Sequence, residues 1–232
     1  MTQDTEPLLA GLQVQLDTLR LWERSGDSLA GWKVALTSGS ARDLMGPGFR
    51  PFGYVLASRT LLSGAALSRH SLSNCHLEPE LCFTVGADLH DALPSKQKVR
   101  DSLASMEAGF EINEMRRLPR FCPNAVVLAD GLSNWGIVVG TGVPVVDTNL
   151  ATTEVRVLCD GDPVGPQVAG VEMDDPLDSI AALCGTLARF GRGLRAGDRV
   201  ITGSFSRHTV TAPGVWSAEF AGVGEVQLKV ED

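Results

Sequence analysis

The segment Cys75-His76-Leu77-Glu78-Pro79-Glu80-Leu81-Cys82-Phe83-Thr84-Val85 concentrates the side chains most able to do chemistry. Read as a strand, it alternates its side chains between two faces. Leu77, Pro79, Leu81, Phe83 and Val85 make one apolar face, and His76, Glu78, Glu80, Cys82 and Thr84 fall on the other. Glu78 and Glu80 therefore point the same way, whereas on a helix, at about 100° per residue, they would diverge by roughly 200°. Like charges held this close raise each other's pKa unless a cation lies between them. Enclosed, such a pair calls for a divalent ion, and all-oxygen ligation favours Mg2+ or Mn2+ over Ca2+. Exposed, it is two solvated glutamates on an outer strand. In Gly109-Phe110-Glu111-Ile112-Asn113-Glu114-Met115 the pattern recurs, with Glu111 and Asn113 on one face and Phe110 and Ile112 opposite. Lys33 sits inside the otherwise apolar run Gly31-Trp32-Lys33-Val34-Ala35-Leu36. A lysine there snorkels, faces solvent or is functional. His76, beside the two glutamates on their polar face, is a candidate base, with an ordinary core or surface histidine as the alternative. His208, next to Arg207, is a weaker candidate, and His70 and His90 fall in predicted loops.

These residues need strands to hold them. Leu8, Leu12, Leu16, Leu19 and Trp22 fall at helical spacing and predict a helix over 7–22, ended by Gly26. Strands are predicted at 32–36, 53–57 and 75–86, with a short helix or loop over 38–49. A helix is predicted over 96–107 from Val99, Leu103 and Met106, then strands at 109–115, 125–129, 136–140 and 153–159. Asp160-Gly161-Asp162-Pro163 reads as a hairpin turn. Asp175 as N-cap, Pro176 at the first position and Gly191 after the end predict a helix over 176–190, with Leu177, Ile180, Leu187 and Phe190 on its apolar side. The tail reads as strands at 198–204, 208–211, 215–220 and 225–231. About ten strands against four irregularly placed helices make an α+β domain, a mixed β core with helices packed outside it.

Composition narrows the partners. The chain has 232 residues, enough for one large domain. With 28 acidic and 20 basic residues the net charge is −8, which repels phosphate backbones and excludes nucleic acid as the expected partner. The longest apolar stretch, Gly136 to Val146, is about half of a membrane span and is interrupted by glycines and a proline, so no membrane association is expected. No basic leader precedes an apolar run at the N-terminus, so no signal peptide is read. The five cysteines, Cys75, Cys82, Cys122, Cys159 and Cys184, are odd in number, irregularly spaced and without Cys-x-x-Cys. That pattern suits buried thiols in a reducing cytoplasm. No Gly-x-Gly-x-x-Gly, Walker loop, Gly-x-Ser-x-Gly elbow or histidine-rich zinc motif occurs.

One ordered set of motifs is more specific than any of its parts. Gly-Trp-Lys-Val-Ala-Leu-Thr-Ser (31–38), Phe-Gly (52–53), Glu-Pro-Glu-Leu-Cys-Phe (78–83), Gly-Phe-Glu-Ile (109–112), Ala-Asp-Gly-Leu-Ser (129–133), Asp-Pro-Leu (175–177) and Gly-Asp-x-Val-Ile-Thr-Gly-Ser-Phe (197–205) follow one another. From residue 31 onward the chain resembles the hydratase/decarboxylase branch of the fumarylacetoacetate hydrolase superfamily, which includes 2-keto-4-pentenoate hydratase and 4-oxalocrotonate decarboxylase. The resemblance implies a mixed β-roll with flanking helices, here a catalytic domain over 31–232 preceded by an N-terminal helical segment over 1–30. It implies Mg2+ or Mn2+ held by Glu78, Glu80 and Glu111. Lys33 takes the place of the branch's strand lysine, and Thr202, Gly203, Ser204 and Arg207 fall on the loop near the substrate carboxylate. It further implies a small anionic 2-oxo acid as substrate, a homo-oligomer, and a decarboxylase or hydratase subunit as a possible partner. The chemistry so implied forms an enolate on a 2-oxo or 2-hydroxy-dienoic acid. Lys33 stabilises its oxyanion, or relays a proton if burial lowers the lysine pKa. Two departures are visible: Pro51 precedes Phe-Gly where hydratases of the branch often carry an acid, and Gly131 replaces the usual asparagine of Ala-Asp-Asn-Ala-Ser. Hydration is the leading expectation. Decarboxylation of a 2-oxo diacid, C–C hydrolysis, and a catalytically weak partner subunit stand as alternatives.

Overall fold

The computed structural model describes residues 5–114, 123–145, 150–165 and 172–232; Met115, Cys122 and Val146 lie outside the described residues. Helix α1 (Glu6–Arg24) buries Leu8, Leu12, Leu16 and Leu19, the leucine stripe read from the sequence. Then follow β1 (Leu29–Val34), β2 (Phe52–Leu56), β3 (Thr60–Leu62), β4 (Ala65–Ser68), β5 (Cys75–Val85), α2 (Lys96–Asp101), β6 (Leu103–Glu114), α3 (Asn124–Ala129) and β7 (Asn134–Val139). The remainder is β8 (Val155–Cys159), β9 (Asp162–Pro163), α4 (Pro176–Ala188), β10 (Arg199–Ser204), β11 (His208–Thr209), β12 (Gly214–Phe220) and β13 (Gly224–Glu231). No helix among the described residues is long and apolar enough to cross a membrane.

The strands form two sheets. The larger runs β2-β1-β10-β5-β6-β7-β3 with β11 also paired to β5, and the smaller runs β4-β13-β12-β8-β9. Parallel pairs (β1 with β10, β3 with β7, β4 with β13) stand among antiparallel ones, so both sheets are mixed. In the larger sheet β2 comes back into contact with β7, which curls the sheet into a roll with an inner and an outer face. Its inner face holds a small apolar cluster of Val55, Cys82, Ile137, Val139 and Ile201. The outer face carries Leu77, Leu81, Phe83, Phe110 and Ile112 into the main core, shared with Trp216, Ala218 and Leu228 of the second sheet and with α1 and α4. Gly31 permits the approach of β1 to β10: a Cβ there would lie 1.9 Å from the Arg199 carbonyl oxygen. This is the α+β, mixed β-roll architecture expected from the sequence.

Helix α4 matches its reading, with Asp175 Oδ1 accepting from the Leu177 amide at 2.9 Å and Leu177, Ile180 and Leu187 buried. Two elements differ from the prediction. The helix over 96–107 stops at Asp101, and Leu103 to Glu107 belong to β6. Leu103 and Met106 fit a helical step, but the ladder from Cys75↔Glu114 to Val85↔Leu103 recruits them. Tertiary pairing outweighs local periodicity here. Residues 125–129, rich in valine, form α3 and not a strand. The cause is docking on α1, where Gly11 lies so close to Ala125 that a Cβ would meet its carbonyl oxygen at 2.3 Å, and where Gln15 Nε2 donates to the Leu128 carbonyl at 2.8 Å. Over 38–49 the structure holds one 3-10 turn, Gly39–Ala41, within a loop. The short strands β3 and β4 had no counterpart in the sequence reading.

Candidate metal and substrate site

The ladder between β5 and β6 sets Glu78 directly opposite Glu111 and Glu80 opposite Gly109. Facing carboxylates destabilise a sheet unless something compensates them. Glycine at 109 leaves the inner face open beside Glu80, and the three carboxylates converge, with one oxygen from each within 4.8 Å of the others. All three are buried, at 5%, 2% and 0% exposure for Glu78, Glu80 and Glu111. A solvated outer strand face is therefore excluded.

Neighbouring elements supply the compensation. Lys33 reaches across from β1, its Nζ 2.6 Å from Glu111 Oε1 and 3.2 Å from the Leu132 carbonyl. Asn134 Nδ2 donates to the same Glu111 oxygen at 2.6 Å. Arg207 Nε donates to Glu78 Oε1. The Gly203 amide donates to Glu80 Oε2 at 2.8 Å. Only glycine fits at 203: φ is +132° and a Cβ would lie 2.1 Å from Thr37 Oγ1. Leu132 and Ser133 hold left-handed φ values of 56° and 65°, and Leu36 one of 60°. Such backbone costs of order 1 kcal/mol or more per residue and gathers at functional sites. Here it turns the Leu132 carbonyl onto Lys33.

Burial first, then the Glu111 and Glu78 charges, push the Glu80 carboxyl well above its ordinary value. Glu78 moves the same way through burial and Glu111, opposed by Lys33 and Arg207. Burial alone would lower Lys33, but Glu111, Glu78 and Glu80 outweigh it and hold the ammonium above its ordinary pKa. That departs from the proton-relay condition set at the sequence level and makes Lys33 a fixed cation. Among the described residues the cluster still carries three carboxylates against two cations, and Glu111 Oε2 is buried without a hydrogen-bond partner. An enclosed set of oxygen donors with an unused oxygen and excess negative charge fits a hard divalent cation. The cluster opens on a cavity of about 370 Å³ lined also by Thr37, Ser38, Ser204, Ser206 and Arg207.

No family model matches the chain. A 2-hydroxyhexa-2,4-dienoate hydratase of Comamonas testosteroni is 26% identical over 204 residues, covering 87% of this chain and 77% of that protein. A 2-keto-4-pentenoate hydratase of Paraburkholderia xenovorans is 25% identical over 209 residues, covering 89% and 77%. A 4-oxalocrotonate decarboxylase of Pseudomonas putida G7, solved with magnesium and adipate, superposes with a TM-score of 0.84 at 23% identity, over 95% of this chain and 85% of that one. In sequence the chain is similar to these dienoate hydratases, and it shares its fold with the decarboxylase.

Of the residues that the superfamily resemblance singled out, Lys33, Glu78, Glu80, Glu111, Ser204 and Arg207 line the one cavity. Thr202 does not line it: the side chain is fully buried, and Oγ1 donates to the Leu81 carbonyl at 3.3 Å. His76 also stays outside the lining, part-exposed, with Nδ1 3.3 Å from Thr209 Oγ1. Burial and then the Arg207 charge hold its imidazole below the ordinary value. Asn134, the Leu132 carbonyl and Ser206 were missed by sequence reasoning. Asn134 follows the Ala-Asp-Gly-Leu-Ser motif directly, but its approach to Glu111 depends on the β6–β7 register, which no local pattern reveals.

Proposed function

We propose that this protein is a divalent-metal-dependent lyase that adds water to a small 2-hydroxy- or 2-oxo-dienoic acid, in the manner of a 2-keto-4-pentenoate hydratase. The observation that carries the reading is the convergence of three buried carboxylates with a charged lysine in one cavity. Mg2+ or Mn2+ held by Glu78, Glu80 and Glu111 would supply Lewis acidity and a docking point for a 2-oxo acid. The chain's own groups do the rest. Arg207 at the cavity wall binds the C1 carboxylate, on a loop that the Ser204 hydroxyl braces. Lys33, kept protonated by its surroundings, donates to the C2 oxygen as negative charge develops there. Its ammonium is already oriented by Glu111 and the Leu132 carbonyl, so little reorganisation accompanies the charge build-up. The walls from the 36–41 loop and the Leu132 turn limit bulk water.

A second reading, loss of CO2 from a 2-oxo diacid, shares this enolate and is favoured by Pro51, which is buried and brings no acid to the position before Phe-Gly. The test is turnover by the purified protein of 2-hydroxypenta-2,4-dienoate, 4-oxalocrotonate and oxaloacetate with Mg2+ and with EDTA. Mg2+-dependent consumption of the dienoate with formation of a 4-hydroxy-2-oxo acid is expected. Turnover of the diacids alone would replace hydration with decarboxylation. No turnover of any would favour a partner subunit that works only beside a second chain.

A further inference from the structure

Hydration needs a group that takes a proton from water, and the carboxylate cluster does not offer one. Glu78 and Glu111 are paired with cations, Glu80 is held by the Gly203 amide, and Lys33 is itself charged. Beside them the loop after β10 carries a second polar unit. Ser206 lines the cavity, and its Oγ lies 2.8 Å from His208 Nε2. His208 is 9% exposed, packs against Trp216 with the rings tilted and their centroids 6.1 Å apart, and opens behind Ser206 onto a separate cavity of about 410 Å³. Backbone pairing of His208 with Leu77 fixes the histidine next to the strand that carries the glutamates. The loop is braced by Ser204 Oγ, which donates to the Ser206 carbonyl at 2.6 Å, and by Ser38 Oγ, which donates to the Ser204 carbonyl at 3.0 Å.

We infer that Ser206 and His208 are the proton-moving pair of this site, Ser206 Oγ meeting the attacking water and His208 Nε2 standing behind it as the base. The inference rests on the hydratase reading. A water O–H bond breaks as its oxygen bonds to the substrate carbon remote from the carboxylate. The water proton goes to Ser206 Oγ while the hydroxyl proton of Ser206 moves to His208 Nε2. The species attacked is the 2-oxo-3-enoate tautomer of the dienoate, reached when the C2 hydroxyl gives up its proton and C5 takes one; as water adds at C4, the π pair of the C3=C4 bond shifts toward C2 and leaves an enolate there. The enolate then collapses, and its adjacent carbon takes the proton back from His208 through Ser206, so that one water is added and nothing else is consumed. Burial favours the neutral imidazole that this role needs, holding His208 below its ordinary value of 6.5. The ionisable groups around it are Arg207 beside it in the chain, Cys159 across the second cavity and His76 on the paired strand.

The test uses full-length protein, saturating Mg2+ and 2-hydroxypenta-2,4-dienoate, with Ser206→Ala, His208→Asn and the double variant. Each single change is expected to lower kcat by about 10²-fold or more, the usual worth of a positioned acid–base group. The double variant should be no worse than either single one, because the two act as a unit. Mn2+ affinity, read by electron paramagnetic resonance, should stay within about threefold of wild type. The acid limb of the wild-type kcat profile, below pH 6.5, should vanish in His208→Asn. His208→Gly should regain activity with added imidazole, which the second cavity can admit; Ser206→Ala, part-exposed, guards against a folding failure at 208. Active wild type with single variants inside threefold, additive losses, or an unchanged acid limb would overturn the pair while leaving the hydratase reading intact. Wild type without dienoate turnover would overturn both.

Discussion

Replacing Lys33 by methionine keeps the length and apolar stem of the side chain and removes the ammonium. In the folded protein that ammonium is 2.6 Å from Glu111 Oε1, and Lys33 as a residue is 7% exposed. At an effective dielectric of about 20 the gross attraction at that distance is about 6 kcal/mol. Much of it offsets desolvation, and deleting one partner of a buried pair costs about 3–5 kcal/mol net. For a chain of this size about 1 kcal/mol moves Tm by roughly 2–4 °C, so the metal-free variant should melt roughly 6–20 °C lower. Glu111 then keeps Asn134 as its remaining donor, opposite Glu78 in the ladder. A divalent ion can replace the lost charge, so Mg2+ should raise the variant's Tm by more than that of wild type. Near 100 times Kd a ligand contributes about 2.7 kcal/mol. The kcat measured at saturating Mg2+ should fall roughly 10²–10³-fold, the scale for losing one oxyanion-stabilising donor. Thermal unfolding with EDTA and with Mg2+, beside kcat, separates the two effects. A variant that keeps more than about a third of wild-type kcat has lost less than about 1 kcal/mol of barrier, and Lys33 would then be structural. A variant melting within about 1 °C of wild type in EDTA would show that the pair contributes no net stability.

Two further outcomes follow from packing and charge. Leu187 is fully buried on α4, so Leu187→Ala should cost about 2–5 kcal/mol in denaturant unfolding; a loss under about 0.5 kcal/mol would mean that the helix packs by another face. Glu80 holds its proton more tightly folded than unfolded, so its contribution is fully present below pH 4.5 and is lost as pH rises through the raised folded value. In EDTA, Glu80→Gln should therefore match wild type near pH 4.5 and exceed it increasingly toward pH 8, and Mg2+ binding to wild type should release protons, read by calorimetry in buffers of different ionisation enthalpy. A wild-type-to-variant difference that stays flat with pH, or metal uptake with no proton release, would contradict that direction.

The legible parts of the molecule are those where local pattern and tertiary demand agree. The leucines of α1, the capped start of α4 and the alternation along β5 state in sequence what they do in the fold. The alternation also placed Glu78 and Glu80 on one face without reference to any partner strand. Residues 103–107 and 125–129 were misread because their spacing suits one structure and their neighbours impose another: the β5 ladder in the first case and the α1 surface in the second. The second ring of the site was hidden for a related reason. Asn134 and the Leu132 carbonyl act through register and left-handed backbone, and neither leaves a periodic trace.

Glu107 shows why burial alone does not mark a functional carboxylate. It lies on β6 with Glu111, on the same inner face, and is 2% exposed. Both keep one carboxylate oxygen without a hydrogen-bond partner. What differs is the residue across the ladder. Glu107 stands opposite the Cys82 thiol, and its Oε1 accepts from Thr84 and Ser105 hydroxyls at 2.8 and 2.6 Å, with Arg199 at 3.6 Å. One carboxylate, two hydroxyls and one guanidinium come close to electrical balance. Glu111 stands opposite a second carboxylate and next to a third, and two cations leave that group short of neutrality. A folded chain keeps such an imbalance only where another charge completes it. Between the two ends, Val55, Cys82, Ile137, Val139 and Ile201 fill the roll with apolar side chains and separate a balanced carboxylate from an unbalanced set. The direction of the roll's chemistry is thus set by register: moving the β5–β6 pairing by two residues would put Glu80 opposite Glu111 and Glu78 opposite Asn113, and the three-oxygen cradle would be rebuilt around different neighbours.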